Sequence, residues 1–425
     1  MTRNHCSDTY IYFAVFAAGL TTLGVELSAV RLLGNIFGTS NIVFASIIGL
    51  ILLYLAAGYF IGGRWADSSP QHLTFFQIMA WGAFTVGLIP LFSRPVLLWA
   101  AHAVVGLDGP VVVGAFVGTM ILFAVPVTLL GCLSPFAIRL MMSVTEQSGN
   151  VSGRVYATST IGSLLGSFMP VMILIPLLGT RLTYLVFAAS LMIVALIGLI
   201  QVNRRQAALH AWMLIVLLAV GVWASRGSIR PTAGLLYETE SAYNYIQVVE
   251  RNQTRYLLLN EGQGVHSVYN PDTLVTNGTW DYFLAAPFFN QVPFSPDQVK
   301  SLAIIGLAAG TIARQYREVF GPIPIDGIEI DPDIAKVGRK YFGMSAPNLN
   351  VIVQDGRWAL THSSAVYSVI GVDAYRLPYI PWQLTTVEFF SEARDHLTDD
   401  GVLVVNVGRA PEDRRLVEAI AGTLQ

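Results

Sequence analysis

The sequence predicts a multi-span α-helical membrane bundle followed by an α/β domain on a parallel sheet, with a small β unit leading into that sheet. Three observations predict it. The chain is 54% hydrophobic and only 12% charged, with a mean hydropathy of +0.57. That is too apolar for a soluble protein of 425 residues. The charge is uneven: residues 1–230 hold 11 Lys+Arg and 5 Asp+Glu, leaving 14 and 22 of the chain's 25 and 27 for residues 231–425. Finally, residues 301–373 repeat one rhythm. Short apolar runs each end in a small or acidic residue, and helical patterns separate them.

In the first half, seven apolar stretches are long enough to cross a bilayer: 10–33, 41–62, 74–92, 111–133, 156–178, 182–202 and 208–224. The shorter stretch 95–107 reads as an interfacial or re-entrant helix. The first apolar segment continues into a full span, so no separate cleavable signal is expected. Gly58, Gly62 and Gly63, and Gly162 and Gly166, recur at spacings that let helices approach closely. Pro126, Pro170 and Pro176 are expected to kink their helices. Glu26 lies deep in the first span with Arg31 near its end. A lone carboxylate there costs roughly 2.5–3.5 kcal/mol on insertion scales, so a partner is expected, in a substrate path or a structural ion pair. Arginines divide almost evenly between alternate loops and do not set an orientation. Seven spans place the two termini on opposite sides.

The second half opens with a polar link, 226–234, containing Pro231 and Gly234. SAYNYIQVVE and TRYLLLNE then read as a hairpin turning at 251–253, and HSVY as a third strand. The units expected are therefore 1–225, 226–291 and 292–425. In the last, strand 300–306 leads through Gly306, Ala308 and Gly310 into helix 311–320. Small residues there admit a ligand to the backbone, and the helix start offers free N–H groups. Strand 323–330 carries Glu329, about 20 residues on, where a carboxylate can hold two ribose hydroxyls. Asp331 caps the next helix. Strand 350–353 is followed by Asp355 and Gly356, and strand 367–372 by Asp373. A Pro- and aromatic-rich loop after Asp373 can fold over a ligand. A fifth strand, 401–407, and a helix, 411–424, complete the pattern. The acidic balance of this half suits a cationic substrate. There is no basic cluster for nucleic acid. Cys6 and Cys132 are too far apart in context to imply a disulfide framework or a metal site.

The ordered set Gly306/Gly310, Glu329, Asp355 and Asp373 resembles the spermidine synthase family, which has a Rossmann-like fold of the adenosylmethionine-dependent methyltransferase type. GVELSAVRLLGNIFGTS, AAGYFIGGRWAD, LGCLSPFAIRL and SGRVYATSTIGSLLGSF look like bacterial membrane proteins with such a domain fused behind a multi-span region. The resemblance implies an aminopropyltransferase without a tightly bound cofactor. Its co-substrate would be decarboxylated S-adenosylmethionine, or S-adenosylmethionine itself, and its acceptor an amine such as putrescine. Gly306, Gly310, Asp355, Gly356, Glu329 and Asn244 would hold the donor, Glu329 at the ribose and Asp355 at the adenine amino group. Asp373 would be the base. A multi-pass inner-membrane location follows, with the lipid bilayer as partner, the C-terminal domain cytoplasmic and a homodimer as the assembly.

Three departures accompany it. The family's Tyr-His-Glu segment falls on Trp280, Asp281 and Tyr282, leaving Asp281 as a substitute substrate carboxylate or a plain helix-start charge. Ala374, Tyr375 and Arg376 replace serines and a second Asp after Asp373, so Tyr375 is the substrate-side candidate and Arg376 a receiver for an anionic group. The sheet of such folds adds two further strands, and Gln425 precedes both, which marks a fragment or a short sheet. Methyl transfer to an unknown acceptor and a non-catalytic sensor remain alternatives to aminopropyl transfer.

Overall fold

Buried backbone polar groups must be paired, and the first half of the chain pairs them within each segment, as long helices. The computed structural model describes residues 7–424 apart from 39, 107–110, 143–147, 225–227, 261, 263, 291–292, 376–379 and 409–412. Helix α1 (Asp8–Phe37) begins at Ser7, whose side chain accepts from the Tyr10 N–H. Helix α2 (Asn41–Ser68) begins at Ser40, which caps Val43 in the same way. Helices α3 (His72–Gly106), α4 (Val111–Met141), α5 (Ser148–Met169), α6 (Ile175–Val202) and α7 (Arg204–Ala224) follow.

Among the described residues, six helices are long and apolar enough to cross a membrane, and the fifth takes in two of the seven stretches expected. The fifth runs from Ser148 to Val202, 55 residues, with a kink at Gly179. At 1.5 Å per residue that is about 80 Å, more than two hydrocarbon cores. Pro170 opens a five-residue π segment (Pro170–Leu174), which carries the hydrogen-bonded backbone from α5 into α6. Gly179, with φ 79° and ψ 164°, breaks the helical conformation between the two stretches expected there. Stretch 95–107 is no separate element either: α3 continues through Pro90 and Pro95.

Close helix approach explains most of the small residues. A Cβ on Gly162 would overlap the Phe16 carbonyl, and one on Gly166 the Leu20 carbonyl, so α5 lies backbone to backbone on α1. On α2, Gly58 meets the Thr128 carbonyl of α4 and Gly62 the Cα of Cys132. Gly63 faces open space and has no such reason. Glu26 is 7% exposed. Among the described residues its carboxylate forms no hydrogen bond or ion pair, against the partner expected for it, and its electrostatic neighbour is the Tyr59 hydroxyl of α2.

The chain divides into two compact units, Met1–Pro231 and Thr232–Gln425. The second opens with an antiparallel sheet of β1 (Leu235–Glu240), β2 (Tyr245–Arg251), β3 (Thr254–Leu259) and β4 (Val265–Tyr269), paired in sequence order. The sequence reading missed β1, and SAYN proved to be the turn between β1 and β2 rather than part of a strand. Asn252 and Gln253, with φ 50° and 63°, close the β2–β3 hairpin as a tight two-residue turn.

Helix α8 (Trp280–Ala285) leads into the second sheet. Its strands are β5 (Leu302–Ile305), β6 (Ile325–Glu329), β7 (Leu349–Val353), β8 (Tyr367–Val372) and β9 (Leu397–Val405), all parallel, in the order β7-β6-β5-β8-β9. Helices α9 (Thr311–Phe320), α10 (Pro332–Tyr341), α11 (Gly356–Thr361), α12 (Val387–Asp395) and α13 (Arg415–Leu424) are the crossovers and the close of the chain. Every residue of β5 and β8 is buried, as central parallel strands must be. The order reverses at β5, and an open sheet of this kind forms its crevice beyond the strand ends at that switch point.

Glycine-to-alanine changes test the α1–α5 contact. Gly162→Ala and Gly166→Ala are each expected to lower the thermal midpoint of the full chain in detergent, at a cost of roughly 1–3 kcal/mol. Gly153→Ala, with nothing within 4 Å of the added carbon, should leave it unchanged or raise it. Equal effects at all three positions would rule out the contact.

Candidate active site

Strand ends at the switch point collect carboxylates, and each has a different set of donors. Glu329 ends β6 and is 7% exposed. One carboxylate oxygen accepts from the Ala308 N–H at 2.9 Å and the other from the Asp331 N–H at 3.0 Å. Burial pushes its pKa up to about 7, against the pull of those two backbone donors. The Ile330 N–H pulls in the same direction as those donors.

Asp373 follows β8, and its backbone N–H donates to the Ile305 carbonyl at 2.8 Å. One oxygen accepts from the indole N–H of Trp280 at 3.1 Å and the other from the carboxamide of Asn406 at 2.8 Å. Burial raises its pKa to about 6, and the bonds from Asn406 and Trp280 work against that rise. Asp355 caps α11, accepting from the Trp358 N–H at 3.0 Å.

The glycines are needed for reasons inside the fold. Gly306 has φ 90°, and a Cβ on it would sit 2.6 Å from the backbone of Asp373 and Ala374. Gly310, φ 87°, starts α9 with the Met344 side chain 2.9 Å from where a Cβ would be. Both lie in the left-handed region that a side chain disfavours. Gly356 lets α11 close on Ile305 of β5.

Asn244 is drawn in by Asp331, which sequence reasoning treated only as a cap. Asp331 is fully buried. It caps α10 through the Asp333 N–H, and its second oxygen accepts from Ser241 at 2.5 Å and from the Asn244 amide at 2.9 Å. Asn244 in turn accepts from Asn260 at 3.1 Å. Ser267 accepts from the Ala309 N–H, and Thr311 pairs with Val268 in both directions, so β4 also braces the turn after β5. Of the residues expected on the donor side, Asn244 and the turn after β5 thus rest on the small sheet.

The substrate-side candidates sit differently. The Asp281 carboxylate accepts from the Thr276 and Asn277 N–H groups, the Thr276 hydroxyl and the Gln315 amide. Burial would raise its pKa, but those bonds outweigh it and hold the group below the usual carboxylate range. Asp281 therefore tethers the start of α8. Tyr282 is 76% exposed. The Tyr375 ring packs over Gly408, leaving no room for a side chain there. Arg376 lies outside the described residues. A cleft of about 480 Å³ runs along α9 past Arg314, Arg317, Tyr269 and Met344. It reaches Gly310 but is lined by none of the carboxylates above.

Sequence reasoning missed Trp280 and Asn406. Asn406 was legible: it is the first polar residue after the apolar end of β9, the signal that marked Glu329 and Asp373. Trp280 carried no such signal, since its partner is 93 positions away.

The order of the parallel sheet and its strand-end acids define a methyltransferase-like α/β domain. Residues 290–424, behind the helical region, match the spermine/spermidine synthase domain. Among curated relatives, it is similar to a probable polyamine aminopropyl transferase of Bifidobacterium longum (strain NCC 2705), 37% identical over 191 residues, covering 45% of this chain and 41% of the relative. A polyamine aminopropyltransferase of Vibrio vulnificus (strain CMCP6) is 29% identical over 181 residues, covering 40% and 58%. The chain thus spans about half the length of these relatives. Among solved structures, a probable spermidine synthase from Corynebacterium glutamicum aligns with a TM-score of 0.39 at 21% identity, over 45% of this chain and 69% of that one.

Asp331→Ala is expected to destabilise the full chain by about 2–4 kcal/mol in chemical denaturation, because it strands buried donors on Ser241 and Asn244. A loss within the error of the measurement would show that the network does not hold the small sheet.

Proposed function

We propose that the C-terminal unit transfers an aminopropyl group from decarboxylated S-adenosylmethionine to an amine, with Asp373 as general base. The helical half would cross a bilayer, with the catalytic unit on the cytoplasmic side, where such donors are made. The observation that carries the reading is the pair Glu329 and Asp373 on either side of the end of β5. Ile305 is in register with Ile328 and with Val372, which precede them closely.

In this reading Glu329 takes the ribose hydroxyls, and Asp355 and the 306–310 turn hold the adenosyl group. The neutral amine attacks the methylene carbon bonded to the sulfonium sulfur, in line with the C–S bond. A C–N bond forms as the C–S bond breaks, and the sulfur leaves as a neutral thioether. The proton lost by the new ammonium goes to the Asp373 carboxylate. Orientation supplies most of the acceleration, since no covalent intermediate is needed. Strand-end carboxylates also favour a cationic donor.

Methyl transfer is the second reading. One observation favours it: Asp281, the remaining candidate for holding a second ammonium, has its carboxylate bound within the fold.

Calorimetry with both donors separates the two. Decarboxylated S-adenosylmethionine is expected to bind more tightly at pH 8. Ribose hydroxyls need the ionised form of Glu329, whose pKa is raised to about 7, so affinity should fall up to tenfold per unit as pH drops below that value. Turnover should fall again below about 6, as Asp373 takes up its proton. Glu329→Gln should weaken binding more than tenfold and flatten its pH dependence. Asp373→Asn should keep binding and lose about 10²–10⁴ in kcat. Tighter binding of S-adenosylmethionine would favour methyl transfer, and no binding of either donor would end both readings.

A further inference from the structure

We infer that Trp280 and Asn406 are positioning residues that clamp the Asp373 carboxylate, one on each oxygen, and turn its remaining lone pairs toward the acceptor amine. The inference rests on the reading of Asp373 as the base. The torsion that turns an aspartate carboxylate is broad and nearly two-fold, so an unrestrained Asp373 would sample many orientations. Here the donors arrive from two independent elements. Asn406 is registered by the sheet: its backbone N–H donates to the Val372 carbonyl at 2.9 Å, immediately before Asp373. Trp280 opens α8 and is 7% exposed. Its helix is pinned twice. Asp281 ties the first turn to residues 276–277 and to Gln315 of α9, and the buried Tyr316 hydroxyl donates to the Phe283 carbonyl at 2.7 Å. Asp281 therefore serves the site indirectly, by fixing where the indole points.

The clamp has a chemical consequence. An indole N–H and a carboxamide N–H only donate, so both contacts stabilise the anion and neither can take the proton. Burial disfavours the anion, and Asn406 and then Trp280 oppose it. Among the described residues no charged side chain contributes to that balance. The proton from the acceptor must then rest on Asp373 itself.

The test uses the full chain in detergent. Trp280→Phe keeps a ring and drops the N–H, and Asn406→Leu keeps the volume and drops the amide. Each is expected to lower kcat roughly 10- to 100-fold with the donor KM within twofold, and to move the acid limb of the pH profile up by about one unit. An unmoved limb in both variants would overturn the inference. A second readout does not need turnover. With 5-fluorotryptophan in all 8 tryptophan positions, the ¹⁹F resonance of Trp280, told apart from that of Trp358 stacked on His362, should titrate with a midpoint near 6. It should vanish in Trp280→Phe and stay fixed in Asp373→Asn. A titrating Trp280 resonance in a protein without aminopropyl transfer would keep the clamp and remove the function proposed for it. A Trp280 resonance that does not titrate would remove the clamp itself.

Discussion

A carboxylate taken out of water must find donors, and the C-terminal unit is arranged by where those donors come from. Glu329 is met by backbone N–H groups that the turn after β5 and the start of α10 leave unpaired. Asp331 is met by side chains of the small sheet. Asp373 is met by an indole and a carboxamide from two further elements. Each acid thereby ties together segments distant in sequence, and the same bonds that make it tolerable in the interior decide which way it faces. A fold that only needed packing would have placed apolar residues there.

That arrangement gives the small antiparallel sheet a mechanical purpose. Ser241 and Asn244 on Asp331, Ser267 on the Ala309 N–H and Thr311 on Val268 brace the strand-end turns from outside the parallel sheet. Loops carry the chemistry in α/β folds of this kind, but a loop holds a ligand only as well as its supports hold it. These bonds cross between the two sheets of the compact unit from Thr232 onward.

The helical unit is built on a different constraint. Contact between its helices follows from shape, and glycines on α1, α2 and α5 set how near the backbones come. Glu26 stands out against that background as a buried acid whose cost no described partner offsets.

Local pattern carried the sequence reading a long way. Hydropathy length marked the helical half, and apolar runs ending in Gly306, Glu329, Asp355 and Asp373 marked the parallel sheet and its strand-end residues, because period and punctuation are properties of neighbouring residues. The same pattern placed the break near Gly179 between two stretches, yet could not say that hydrogen bonding would continue through Pro170, which depends on a π-turn. It could not weigh Asp281 either: whether that carboxylate faces a substrate or the fold turns on Gln315, 34 residues later. Strand order, the meeting of Trp280 and Asn406 on one carboxylate, and the tie from Asp331 to Asn244 were settled only by tertiary structure. Hydrogen bonds between residues far apart in the chain leave no periodic trace in it.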